Sequence, residues 1–472
     1  MRALASPAQR YRRWPAKANE RGGAVNAHLR RGACPGLWQP MATGDGLLVR
    51  MTPTGATMSC QAFAALCAAA RSCGNGVIEI TSRGSLQIRG LTESSAQRFA
   101  TAVGRIEVVF CEGPPVLINP LAGLDADAAL DMSGVAAELR RVLAAAAFSA
   151  DIGPKVSIAL DGGGALHLDA VAADVRMRTE AGGACLVAVA GDAETATPLG
   201  AVATEHAVEA AMAIVRVVAA AGPAARARDI IAANGAEVFR QAIADILIDH
   251  VRPPRRPAAE PIGTHALRDG SVAIGLGLAF GYADSSALEE LAHAAATAGA
   301  MGLRTTPGRA LLLLGIPRHG AARLAEIAQR LGFVVQAEDP RRKVIACAGA
   351  PICAAGEIAT RALAPVLARM AAVSGAGAPM VHVSGCAKGC ACPRSMPLTV
   401  VGMEGRCGVV VNGSARDQPL VILEPEALPD ALSRVAEAVR RMRPADENSA
   451  EVLSRLDRAQ MARLMLGETT DA

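Results

Sequence analysis

The chain has almost no aromatic side chains, 2% of its 472 residues, although 51% of those residues are hydrophobic. Its core must then be filled with alanine, valine and leucine, and so much apolar content excludes a disordered chain. No apolar run is long and clean enough for a membrane span: the stretch from Ala201 to Ala221 is interrupted by Glu205, His206, Glu209 and Arg216. No secretory leader is visible either, because Met1 to Gly23 carries Arg2, Arg10, Arg12, Arg13 and Arg21 without an apolar segment. We expect that segment to be a flexible arm, and the protein to be cytoplasmic with neither a membrane nor a nucleic acid as partner. A formal net charge of +4 is compatible with an anionic substrate, which local arginines would have to hold.

What is present in quantity is cysteine. There are twelve, mostly without paired spacing, which argues for a reducing compartment. Cys347 and Cys353 stand as C-x5-C, 32 residues follow, and Cys386 and Cys390 stand as C-x3-C. Each pair is close enough for one loop to aim both thiolates at a common point, and the long insert brings a second loop to complete the set. This is ligand spacing for an iron–sulfur cluster. Zinc is the rival, although its sites usually use C-x2-C knuckles, and buried cysteines acting as small hydrophobes are the plain alternative. The small residues around both pairs, Ala346 to Gly356 and Ser384 to Ala391, would let backbone amides reach cluster sulfurs.

A weak internal repeat runs at a constant offset of 225 residues. Gly46 to Met51 matches Ser271 to Leu276, Phe63 and Leu66 match Leu288 and Leu291, Gly74 matches Gly299, and Pro154 to Ile158 matches Pro379 to Val383. Each half therefore reads as strand, helix, strand and a longer α/β portion, with a site between two related lobes. On this register Asp161 takes the place of Cys386, so only the second half keeps cluster ligands. The repeat also removes a false lead. Gly275 to Gly281 has the look of a dinucleotide loop, but its register is that of a strand and turn. With no nicotinamide or flavin domain left, electrons must come from a partner or from a donor that docks without a familiar fold.

Cysteine spacing, duplication and the sequence Thr81-Ser82-Arg83-Gly84-Ser85-Leu86-Gln87-Ile88-Arg89-Gly90 together resemble the sulfite and nitrite reductase superfamily over about residues 30–440. Within it, Arg31 to Leu37, Pro40 to Arg50 and Val383 to Cys390 resemble the precorrin-3B synthase family. The resemblance implies an α+β fold of duplicated reductase-like lobes. The expected boundaries are an arm at 1–30, ferredoxin-like half-domains at 31–100 and 256–325, a first α/β domain at 101–255, a cluster-binding α/β domain at 326–445 and a helical tail at 446–472. It further implies a [4Fe-4S] cluster on Cys347, Cys353, Cys386 and Cys390. In the reductases the last cysteine also bridges to a sirohaem iron. The synthases are instead understood to pair the cluster with a mononuclear non-haem iron, the tetrapyrrole being substrate. The activity implied is hydroxylation of precorrin-3A at C20 with γ-lactone formation, using molecular oxygen and NADH, in aerobic cobalamin biosynthesis; an electron-donating reductase is a candidate partner. The alternatives are an assimilatory sulfite or nitrite reductase with sirohaem, and a non-catalytic iron–sulfur redox sensor or scaffold.

Reduction of a small oxyanion calls for several cations around it. Arg83 and Lys155 match cationic positions of the reductases, but Ser157 stands where a second lysine is expected and Val116 to Gly123 lacks an arginine. This thinned set suits oxygen chemistry better. Arg50, Arg83, Arg89, Lys155 and Lys388 remain as candidates to hold the peripheral carboxylates of a tetrapyrrole, since guanidinium forks grip carboxylates at two points; plain solvated arginines at strand ends are the alternative. Asn119 and Asp45 are explained by turn chemistry. Eight histidines include no close H-x-x-x-H pair, so an iron site would be assembled from distant residues, with His382 the leading candidate by its nearness to Cys386. Cys392 and Cys407 read as bystanders, and Cys34 as structural or near the site.

Overall fold

A computed structural model describes residues 35–468 except 107, 109, 112, 251–253, 375–379, 443–446 and 448. The expected arm at 1–30 and Cys34 lie outside the described residues.

Two antiparallel sheets form the centre. The first runs in the order 41–43, 46–51, 86–91, 77–80, 282–284, and the second in the order 263–266, 272–277, 310–316, 302–306. They share one core with two helices, Cys60–Cys73 and Ser285–Thr297. Each helix is started by a side-chain cap, Ser59 accepting from the Ala62 amide and Asp284 from that of Ser286. Phe63, Leu66, Cys67 and Ala70 form the buried stripe of the first helix, and Leu288, Leu291, Ala292 and Ala295 repeat it 225 residues later. The halves also exchange backbone. Strand 282–284 comes from the second repeat but pairs with 77–80 of the first, while Met58 of the first bridges Leu303 of the second. Neither half can then be withdrawn without exposing the edge of the other.

The other two sheets repeat one pattern. In one, 116–118, 158–161 and 173–179 run parallel and 184–191, 197–203 and 247–248 continue antiparallel; in the other, 344–346, 381–384 and 396–403 run parallel, followed by antiparallel 406–413 and 421–423. Val116 pairs with Ile158 and Ile158 with Val175, whereas Val344 pairs with Val381 and Val381 with Leu398. Matched end to end, strands 158–161 and 381–384 place Asp161 and Ser384 each as the last residue of its strand, while Cys386 lies in the turn two residues beyond.

The glycine run is structural. Gly275 and Gly277 lie in strand 272–277, where a Cβ on Gly275 would fall 1.6 Å from the Pro261 carbonyl oxygen. The tail packs as a cap: Val452, Leu453, Met461 and Met465 are buried in the core of the last sheet, and Arg434 donates to the carbonyls of Leu464 and Met465. Among the described residues, no helix is long and apolar enough to cross a membrane.

Candidate functional site

Parallel strands 344–346 and 381–384 are neighbours, so their carboxyl ends open at the same place, the position at which such sheets usually bind ligands. Cys347 follows the first strand directly, and Cys386 and Cys390 lie in the turn after the second. Cys353 lies in the loop that leads into helix Thr360–Ser374. The two loops are laced together. The Cys347 amide donates to the Val383 carbonyl, that of Glu357 to the Gly385 carbonyl, and the Thr360 hydroxyl to the Cys347 carbonyl at 2.6 Å. Glycine is needed at the crossing: a Cβ on Gly385 would sit 3.0 Å from the Gly349 Cα and 3.2 Å from the Gly356 Cα. Its amide can therefore donate to Cys347 Sγ at 3.1 Å, the type of bond that steadies a thiolate.

All four cysteines line one cavity of about 1650 Å³. Burial pushes the Cys386 thiol up, the Lys388 amide pulls it down, and neighbouring Cys390 and Cys353 push it up again. Thiolates crowded in this way repel one another unless a cationic metal core offsets their charge. A four-thiol donor set on two glycine-rich loops fits a [4Fe-4S] cluster.

The signature near residue 40 is explained by the same loop. Hairpin 41–51 backs onto the Cys353 loop, the Gly44 amide donating to the Ile352 carbonyl at 3.0 Å. A Cβ on Gly44 would come within 2.4 Å of the Pro351 oxygen.

Arg50, Arg83, Arg89, Lys155 and Lys388 line this cavity too, and Arg140, Arg226, Arg309 and Arg361, which no motif marks, join them. Against these nine cations the described lining has one acid, Glu79. Several of the cations are held by protein. Arg50 donates to Gln87 Oε1 at 2.7 and 3.0 Å, Gln87 donates to Glu79, and Glu79 also accepts from Arg89 at 2.8 Å and from Arg361. Arg361 lies 4.2 Å from the centre of the Tyr282 ring. Arg89 also faces Asp45 at 3.7 Å, so Asp45 braces a cation from the hairpin turn, where it accepts from Thr43 and Asn75. Arg140 is bonded to the carbonyls of Thr54 and Val116, Arg226 to Asp174, Arg309 to the Ala391 carbonyl, and Arg83 to the Ala172 carbonyl. Lys155 is exposed at the cavity wall. Ser157 is buried on Asp174 and Asn119 on Asp161, and neither lines the cavity.

His382 is fully buried and is absent from the cavity lining. It lies under the second cysteine turn, near Gly389, and neither ring nitrogen has a hydrogen-bond partner among the described residues. Burial, and then the Arg309 charge, bring its pKa down to about 4. An adjacent guanidinium opposes a metal cation as it opposes a proton. Apart from the four cysteines, Asp161, His167 and Asp169 bring three ligand atoms within 4.8 Å of one another, but Arg256 bonds both carboxylates and already supplies the cation. The described residues thus assemble no mononuclear iron site in the cavity. A pH effect follows from the histidine. The unfolded ring takes up a proton near pH 6.5 and the folded one not until about pH 4, so stability falls as pH drops through that window. His382→Leu should remove an acid loss on the order of 3 kcal/mol, read from urea unfolding at pH 7 and pH 4, and should leave bound iron unchanged. An equal acid loss in the variant, or depleted iron, would count against this placement.

The nitrite/sulfite reductase ferredoxin-like half-domain model matches residues 39–104, which contain the hairpin and the Arg83 loop. The solved structure of the Mycobacterium tuberculosis NirA protein superposes with a TM-score of 0.75 at 21% identity, covering 88% of this chain and 84% of that one, a likeness of fold. A precorrin-3B synthase from Sinorhizobium sp is 37% identical over 439 residues, 92% of this chain and 95% of that protein. The residues that carry the site lie within a likeness of nearly full length: the chain belongs to the precorrin-3B synthase family, an enzyme branch of the sulfite and nitrite reductase superfamily.

Proposed function

We propose that the protein hydroxylates precorrin-3A at C20 with γ-lactone formation, using molecular oxygen and NADH. One oxygen atom enters the substrate, the other leaves as water, and NADH supplies the two electrons, passed on by a separate reductase because no dinucleotide fold is evident among the described residues. The observation that carries this reading is the joining of four thiols and nine cationic side chains on one cavity of about 1650 Å³. That space is far larger than a small oxyanion needs and suits a tetrapyrrole with many carboxylates.

Cys347, Cys353, Cys386 and Cys390 would hold the [4Fe-4S] cluster, which when bound transfers single electrons. The protein side of the work is electrostatic. Arg50, held by Gln87, and Lys155 and Lys388 hold peripheral carboxylates, and the Glu79 bridge keeps Arg89 and Arg361 fixed while the substrate enters. A mononuclear iron is carried no further, for the reason given above. The reductase-like fold favours one second reading, sirohaem in this same cavity serving sulfite or nitrite reduction.

The test is anaerobic purification with reconstituted iron and sulfide, an absorption spectrum, and extraction of any tetrapyrrole. Cluster absorbance without sirohaem, with oxygen-dependent conversion of added precorrin-3A, is expected. Stoichiometric sirohaem with sulfite- or nitrite-dependent oxidation of a reduced dye would replace the proposal with the reductase reading, and a cluster without turnover of either kind would leave a redox sensor or scaffold.

A further inference from the structure

Nine of the chain's eleven aromatic residues lie among the described residues. Phe63, Phe99, Phe239 and Phe333 are buried in the cores, and Phe148 lies under Arg216. The other four, Trp38, Phe110, Phe280 and Tyr282, all line the cavity. In a chain so poor in aromatics, this concentrates on one cavity every described ring that is neither fully buried in a core nor covered by Arg216, with Phe110 and Phe280 leaning partly on the cores behind it. Phe280 is even held at φ 60°, a left-handed conformation that bulky side chains rarely adopt and that tends to mark functional positions.

Trp38 differs from the rest in being 68% exposed. Its turn is well anchored. The Gly36 amide closes the turn on the Gln39 carbonyl at 3.0 Å, Leu37 packs into the central core, and the hairpin that follows leans on the Cys353 loop. Leu37 therefore fixes the backbone and leaves the indole beside it uncovered at the cavity wall. A rigid indole left in water at the edge of a cationic cavity suits a ligand that is both polyanionic and flat-faced.

We propose that Trp38 is a substrate-positioning residue that packs its indole on the face of the tetrapyrrole, while the cavity cations hold its carboxylates. This inference rests on the proposed substrate class and assigns the contact that orients the ring. The carboxylates alone fix the ligand's edge; the indole fixes which face it presents.

The experiment uses full-length protein and sirohydrochlorin, a stable polycarboxylate tetrapyrrole, as probe. Trp14→Phe leaves Trp38 as the sole tryptophan. On binding, its emission should shift to shorter wavelength as well as dim; the shift reports covering of the ring, whereas dimming alone can arise from energy transfer at a distance. Trp38→Ala should weaken binding, read from the absorbance of the tetrapyrrole, by roughly tenfold, and Trp38→Phe should restore most of it. Arg50→Ala serves as the test of the cationic reading. If wild-type protein binds, Arg50→Ala binds weakly and Trp38→Ala binds like wild type, the stacking inference alone is overturned. If wild-type protein does not bind the probe, the substrate reading fails and the inference fails with it.

Discussion

Cys386→Ser is expected to remove cluster absorbance and to lower activity by on the order of a hundredfold or more, since losing even an outer-shell partner of a metal ligand costs about ten- to hundredfold. The position is demanding for two reasons. Its thiol lies near those of Cys353 and Cys390 in a partly buried turn, at the point where the two loops meet. The turn that carries it is also fixed by the Ser384 hydroxyl, which donates to the Cys386 carbonyl at 2.7 Å, and by Gly385, which has no room for a side chain. The informative control is Cys407→Ala. That thiol is buried in the core of the last sheet, where burial pushes its pKa up to about 11, and it lies outside the cavity. Its loss should cost about 1 kcal/mol of stability and leave the absorbance alone. Iron content and the visible spectrum of the two variants, purified without air, decide the matter. A full cluster in Cys386→Ser would sink the ligand assignment.

The contrast between these cysteines shows what was legible in the sequence. Two close pairs with a long insert state a loop geometry, and the loops do converge. The duplicated helices were legible for a similar reason: a buried stripe at 63, 66, 67 and 70 repeated at 288, 291, 292 and 295 is a local pattern. Non-local facts were hidden. Nothing in Tyr282-Ala283-Asp284 announces that it completes the sheet of the other half, because edge pairing is chosen by the assembled core. Asp161 closes its strand whereas Cys386 lies in the turn two residues past its own, a difference of backbone setting that the repeat could not display. His382 looked close to the site because it is four residues from Cys386. It shares a strand face with Ser384, but Ser384 reaches the cavity whereas the cysteine turn lies over His382. Arg361 carried no signal at all, since its role depends on a glutamate 282 residues away.

That remote pair should have the second large effect. Glu79 is the one acid of the described cavity lining, and it joins Arg361 of the cysteine-bearing lobe to Arg89 and Gln87 of the central sheet. The side chains of Glu79, Arg89 and Arg361 are only 12%, 11% and 16% exposed. Glu79→Ala leaves two guanidinium groups facing each other with little water, and removing one member of a buried ion pair costs about 3–5 kcal/mol. Partial solvent access reduces this, so we expect about 2–4 kcal/mol, measured as a lower urea midpoint with an unchanged slope. Arg361→Ala should cost less, because Glu79 keeps Arg89, although its packing on Tyr282 is also lost. The double variant separates the pair from its surroundings: it should be more stable than the sum of the single losses predicts, by about 1–3 kcal/mol. Additive losses would mean that the bridge holds nothing together. The coupling also bears on function, since Arg50 reaches the same glutamate through Gln87. Glu79→Gln keeps the shape and removes the charge. On the proposed substrate reading it should therefore change tetrapyrrole affinity more than it changes stability, because the arginines it releases line the same cavity.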